Sequence, residues 1–287
     1  MNIQGIIAAV LAAICMGTMG VFSRKTGLQA EVITFFRLFF GGAFLLLLLI
    51  CTKQLRLLKT RPAWPVIFNG LMLAGFIIFY VQAMYLTTMA NAVMILYLAP
   101  LAASIYAHFF LGERLNIQGT ILIATALLGF AMMMEFKVDF DQNGSHPQGI
   151  LFATLSMICY ATFILINRSD TTDIHAYTRT LYQLLVGAVC MVPFLIVKPP
   201  TISCTTIPWL LGAGLIPGFL GILLAVVALE KIPTATFATL AYIEPIFVVV
   251  LGWVMFGESL NSLQISGCLL ILASSMIKGA TARNCEE

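Results

Sequence analysis

The sequence predicts an all-α polytopic membrane protein in which ten transmembrane helices form two inverted five-helix repeats. Three observations carry that expectation. The composition is too apolar for a water-soluble surface, ten stretches are long enough to cross a bilayer, and the chain is duplicated at an offset of about half its length.

Hydrophobic residues make up 61% of the 287 and charged residues 9%, against roughly 45–50% and roughly 25% in soluble domains. The mean hydropathy of +1.01 points the same way. The net charge of +3 needs no nucleic-acid partner, because basic residues beside membrane segments follow from topology alone. Seven cysteines are an odd count, and Cys15, Cys51, Cys159, Cys190 and Cys268 lie in or at the ends of apolar runs. A buried free cysteine there acts as a small hydrophobe. No spacing suggests a metal site or a disulfide framework, and no cofactor is expected.

A span needs about 20 mainly apolar residues to cross a hydrocarbon core of about 30 Å. In chain order the candidates are 3–22, 32–51, 64–86, 91–110, 117–135, 147–166, 177–197, 207–229, 234–256 and 261–278. The first lacks a positive n-region, and Arg24-Lys25 follow it, so a retained helix is expected and not a signal peptide. Trp64 and Trp209 open the third and eighth spans. Thr87-Thr88 and Lys231-Ile232-Pro233 mark the short turns before the fourth and ninth. The longest connector, 136–146, holds Asp139, Asp141, Asn143 and Gly144 and joins the two halves, 3–135 and 147–278; residues 279–287 form a tail.

The duplication is explicit. Tyr97-Leu98-Ala99-Pro100 leads into Gly112-Glu113-Arg114-Leu115-Asn116, and Tyr242-Ile243-Glu244-Pro245 leads into Gly257-Glu258-Ser259-Leu260-Asn261, an offset of 145. Trp64 maps to Trp209 at 145, Gly41 to Gly187 at 146, and Gly5, Cys15, Thr18 and Arg24 to Gly149, Cys159, Thr162 and Arg168 at 144. A repeat of this kind decides architecture. Because each copy has five spans, the second enters the membrane from the opposite side, which predicts an inverted pair. With both termini in the cytoplasm, ten loop Lys and Arg residues fall inside and four (Arg24, Lys25, Lys137, Lys198) outside, the bias expected of that orientation.

Glu244 is the foremost candidate for chemistry. It lies about ten residues into the ninth span, so about 15 Å deep, and an intramembrane carboxylate is costly unless it has a function or a partner. It suits a group that exchanges a proton or meets a cationic substrate; the alternative is an acid bonded to a neighbouring helix. Pro245 frees the Ala241 carbonyl and favours a kink toward a cavity. The repeat mates Tyr97 and Tyr242 each precede a proline by three residues, and with Tyr80, Gln82 and Tyr160 they are candidate lining groups. Tyr242 and Glu244 are about 200° apart on a helix, so an unkinked span cannot aim both at one ligand.

Arg37 either snorkels outward or pairs with Glu31 as a structural group, or it holds an anion near the cavity. Glu113 and Glu258 fall on opposite membrane faces and are expected to structure turns, with Asn116 and Asn261 as helix N-caps. Pro100, Pro217 and Pro245 are structural or gating positions, and Gly214 and Gly218 form a GxxxG that permits close helix approach. No HExxH, GxSxG, Walker A or Gly-rich fingerprint is present, so no catalytic residue is expected.

These features resemble the EamA family of the drug/metabolite transporter superfamily. The proline-containing helices followed by Gly112-Glu113-Arg114-Leu115 and Gly257-Glu258-Ser259-Leu260 carry the resemblance, with Arg37, Trp64, Trp209 and Tyr182-Gln183. It implies a carrier with cytoplasmic termini, usually in a bacterial inner membrane, that moves small organic metabolites such as amino acids by alternating access. It also implies a cavity lined by the first, third, fourth, sixth, eighth and ninth spans, with Arg37 on the second set back from substrate. The expected partners are a small-molecule substrate, the lipid bilayer and, in a coupled carrier, protons; the protein would be a monomer or homodimer. An exporter is expected, against an uncoupled facilitator or multidrug exporter, or a channel or non-transporting scaffold.

Overall fold

A computed structural model describes residues 3–59, 63–113, 117–136, 146–169, 174–197, 199–257 and 260–284. Arg114, Asn116, Glu258, Ser259 and the connector residues 137–145 lie outside them. Ten helical segments follow one another: α1 (Ile3–Gly17 and Met19–Thr26), α2 (Ala30–Cys51), α3 (Trp64–Leu86), α4 (Met89–Leu96 and Ala99–Phe110), α5 (Ile117–Met133), α6 (His146–Arg168), α7 (Ala176–Val197), α8 (Ile207–Lys231), α9 (Thr234–Ala241 and Ile243–Phe256) and α10 (Ser262–Asn284). No strand occurs among the described residues.

Eight of these are long and apolar enough to cross a membrane, and Ile117–Met133 and Ser262–Lys278 are shorter apolar helices. Phe109, Val189, Ile196 and Trp253 are among many large apolar side chains left exposed. A bundle so apolar outside as well as inside belongs in lipid. This is an integral membrane protein.

The breaks have local causes. Pro100 and Pro245 lack the N–H that would continue the helix one turn back, and the helices are interrupted three residues earlier, at Tyr97 and Tyr242. In α8 Pro217 lies inside a π-helical segment, Gly214–Leu220, because a widened turn accommodates the missing donor. Asn261 caps α10 as its spacing predicts: its Oδ1 accepts from the Gln264 amide at 2.8 Å, and Gln264 Oε1 accepts from the Asn261 amide at 3.1 Å.

Packing pairs α1 with α8, α3 with α6, α2 with α7 and with the π segment of α8, α3 with α7, α4 with α9, and α5 with α10. Exchanging each helix with the one five places along maps this set onto itself. The α2–α8 crossing is tight enough to require glycine. A Cβ on Gly41 would sit 3.0 Å from the Gly218 carbonyl carbon, and one on Gly218 would strike the Arg37 carbonyl oxygen. The main core lies among α1, α2, α3, α6, α7 and α8, with Ala99 and Ala103 of α4 and Phe237 and Leu240 of α9; a second cluster joins Ile123, Ala126 and Phe130 of α5 to Ala238, Tyr242 and Ile246 of α9 and Ile271 of α10.

Candidate functional site

A cavity of about 350 Å³ lies within the bundle, lined by α1, α2, α3, α4, α6, α8 and α9. That is the size of a small-molecule site. Six of these helices are the ones the family resemblance implies. The seventh, α2, contributes Ala30, Ile33, Thr34 and Arg37.

Arg37 therefore does not stand back from the cavity. Its Nη2 donates to the Met16 Sδ on α1 at 3.0 Å, so the guanidinium turns across α1 instead of snorkelling outward. Glu31, its expected partner, accepts the Tyr85 hydroxyl at 3.4 Å instead. A thioether is a weak acceptor, and the buried Arg37 Nε has no hydrogen-bond partner. The arginine thus keeps donor capacity at the cavity wall.

Glu244 lines the same cavity from the first turn of the second half of α9. Its carboxylate interacts electrostatically with the Arg37 guanidinium and faces the Tyr97 side chain, which lines the same space. Tyr80 and Tyr160 complete the polar wall, with the Phe76 ring 5.0 Å from that of Tyr160. One cation, one carboxylate and three tyrosines thus line a single cavity.

Two other sequence candidates lie elsewhere. Gln82 borders a separate outer recess with Gln29, Glu31 and Tyr85, because it is about 200° around α3 from Tyr80. Tyr242 is fully buried in the α5–α9–α10 cluster, as its spacing from Glu244 requires. Its hydroxyl donates to the Tyr97 carbonyl at 2.7 Å. Pro217 and Gly218 stand at the α2–α8 crossing, outside the lining.

The cavity extends toward one end of the bundle, where Ser23, Ala30, Met84 and Met89 lie at the ends of α1, α2, α3 and α4. The opposite end is closed by a polar network. Glu113 pairs with Arg168 at the end of α6 and accepts the Thr234 amide of α9 at 2.8 Å. Arg168 Nη1 also donates to the Leu229 and Glu230 carbonyls of α8 at 3.2 and 3.3 Å, and Arg179 of α7 binds Glu230 at 2.5 Å. Glu113 is therefore more than a turn residue: it joins the α4–α5 corner to α6 and α9. The signal in the sequence is that both members are duplicated, Glu113 with Glu258 and Arg168 with Arg24.

The model of the EamA-like transporter family matches residues 3–135 and again residues 147–278. The chain belongs to this family. It is a membrane transporter by descent, and its relatives agree in length as well as sequence. An uncharacterized transporter of Archaeoglobus fulgidus is 28% identical over 95% of both chains. The threonine/homoserine exporter RhtA of Escherichia coli is 25% identical, covering 84% of this chain and 79% of its own. The pseudopaline exporter CntI of Pseudomonas aeruginosa is 24% identical over 98% and 97%. A protein of known crystal structure superimposes with a TM-score of 0.86 over 97% of this chain and 98% of its own at 19% identity, which shows a shared fold.

Proposed function

We propose that this protein is a secondary transporter that exports a small zwitterionic metabolite by alternating access between two inverted five-helix repeats. The observation that carries the reading is the presence of Arg37 and Glu244 in the lining of one cavity. A guanidinium with an unspent donor takes a carboxylate, and a carboxylate takes an ammonium. The tyrosine and phenylalanine rings beside them suit an apolar side chain. The names of the exporters RhtA and CntI support export, and threonine and homoserine are zwitterions of this size.

The inverted arrangement is supported by the double family match and by packing that survives exchange of the two halves. Placing the termini in the cytoplasm, as the loop charges favour, makes the Glu113–Arg168 end internal and the cavity outward-facing. The bilayer would be a bacterial inner membrane. Glu244 then meets the substrate amine or, in a coupled cycle, a proton.

A thermal-shift screen of the purified protein tests the substrate class, since a ligand that binds the folded state raises its apparent stability. Amino acids should stabilise the protein more than the matching amines and carboxylic acids, each of which lacks one charged group. Equal stabilisation by a singly charged analogue would refute the two-charge site.

A further inference from the structure

Beneath the cavity, toward the Glu113–Arg168 end, lies a column of polar side chains with no contact to solvent. Asn69 of α3, Asn167 of α6 and Thr180 and Gln183 of α7 are all 0% exposed. They are partly linked. Asn69 Nδ2 and Asn167 Nδ2 both donate to the Phe163 carbonyl, at 3.3 and 3.0 Å, and Gln183 Nε2 donates to Asn167 Oδ1 at 2.9 Å. Yet Asn69 Oδ1, Thr180 Oγ1, Gln183 Oε1 and, nearby, Thr234 Oγ1 have no hydrogen-bond partner among the described residues. Buried polar atoms are nearly always satisfied, and each exception asks for a reason.

The duplication supplies one. At the offset of 144, Ser23 maps to Asn167, and at 146, Thr34 maps to Thr180 and Arg37 to Gln183. At 145, Met89 maps to Thr234. Ser23, Thr34, Arg37 and Met89 all line the open cavity. Their mates are Asn167, Thr180 and Gln183 of the buried column and the neighbouring Thr234, and Asn69 joins the column from the first repeat through the Phe163 carbonyl it shares with Asn167. The wall that is open in one repeat is thus packed shut in the other, where Thr180 Oγ1, Gln183 Oε1 and Thr234 Oγ1 are left without hydrogen-bond partners among the described residues.

We propose that Asn69, Asn167, Thr180 and Gln183 form the wall of a second vestibule, closed in this conformation, through which the substrate enters from the Glu113–Arg168 end. The proposal rests on the alternating-access reading above. When the halves exchange conformation, water and the substrate's ammonium and carboxylate satisfy these amides and the hydroxyl. The ion pair of Glu113 and Arg168, with its bonds to α8 and α9, is the latch that keeps the vestibule shut. Amides and a hydroxyl offer donors and acceptors to both ends of a zwitterion without binding either as tightly as a full charge would.

The test uses the full-length protein in a background whose seven cysteines are replaced by alanine or serine. Thr34→Cys and Thr180→Cys are each labelled with a charged, membrane-impermeant maleimide from either side of the membrane. Each is examined alone and with Glu113→Gln or Arg168→Gln to release the latch, and every variant is first shown to be monodisperse in detergent. Release should raise labelling of Thr180→Cys from the latch side by about tenfold and lower that of Thr34→Cys from the other side, as a shift between two states requires. A fall at Thr34→Cys with Thr180→Cys still unreactive would overturn the second vestibule and leave alternation standing. No response at either site in either latch variant would overturn alternation, and the vestibule with it.

Discussion

The hydroxyl of Tyr242 donates to the backbone carbonyl of Tyr97 across 2.7 Å, joining two residues that occupy the same place in the two halves of the chain, 145 positions apart. Each stands at a helix break set by a proline three residues on, so the bond ties the break in α4 to the break in α9. Tyr97 lines the cavity from one break, and Glu244 enters the same cavity just after the other. The two tyrosines have parted roles. Tyr97 lines the cavity, and Tyr242 braces it from behind.

Tyr242→Phe removes that brace while keeping the ring. One neutral hydrogen bond contributes about 0.5–1.5 kcal/mol, so unfolding in detergent should shift by that much. Ligand-induced stabilisation should fall further than the unliganded stability does, because Tyr97 loses its anchor. An unchanged ligand response would remove Tyr242 from the account.

Tyr97→Phe keeps the ring contact with Phe130, whose centroid is 4.4 Å away, and deletes a hydroxyl from the cavity lining that Glu244 shares. Folding and expression should hold. Affinity for an amino acid should drop about tenfold, the value of one hydrogen bond to a charged group, as read by titrated thermal shift.

Arg37→Gln removes the cation but leaves a polar side chain beside Met16. A charge-assisted hydrogen bond is worth about 1.5–3 kcal/mol, so amino-acid affinity should fall by about tenfold to a hundredfold. Binding of the corresponding amine, which has no carboxylate to lose, should stay within twofold of wild type, or about 0.4 kcal/mol. Equal losses for both ligands would mean that Arg37 acts on packing alone.

Gly218→Ala places a methyl group against the Arg37 carbonyl oxygen at the α2–α8 crossing. Overpacking of this kind costs about 1–3 kcal/mol. Gly27→Ala, at a left-handed φ of 62° with nothing within 4 Å, should cost only about 1 kcal/mol of backbone strain. Comparing the two unfolding midpoints separates close approach from conformational freedom.

The helices are legible because length and apolarity locate a span: eight helices long and apolar enough to cross a membrane lie at the expected segments, and two shorter apolar helices, Ile117–Met133 and Ser262–Lys278, lie at the remaining two. Their rotation is not. In a helix apolar all round, no periodic stripe says which face meets a cavity. Gln82 and Tyr80 look equivalent in the sequence, yet one borders an outer recess and the other the central cavity. Arg37 was ambiguous for the same reason, and only its contact with Met16 settles its direction. The break in α1 at Thr18 carries no proline to announce it. The pairing of Glu113 with Arg168 joins residues 55 apart, a contact the duplication hints at but only the fold makes.

At Glu244 the two halves differ in chemistry, since its repeat mate Ala99 is a fully buried apolar residue. Counterflow in proteoliposomes tests its role most directly, with unlabelled amino acid inside and the radiolabelled form outside, using whichever amino acid gives the largest thermal shift. The wild-type protein should show saturable counterflow and Glu244→Gln should lose it, with both proteins reconstituted to the same level. Counterflow of undiminished rate and affinity in Glu244→Gln would contradict that role.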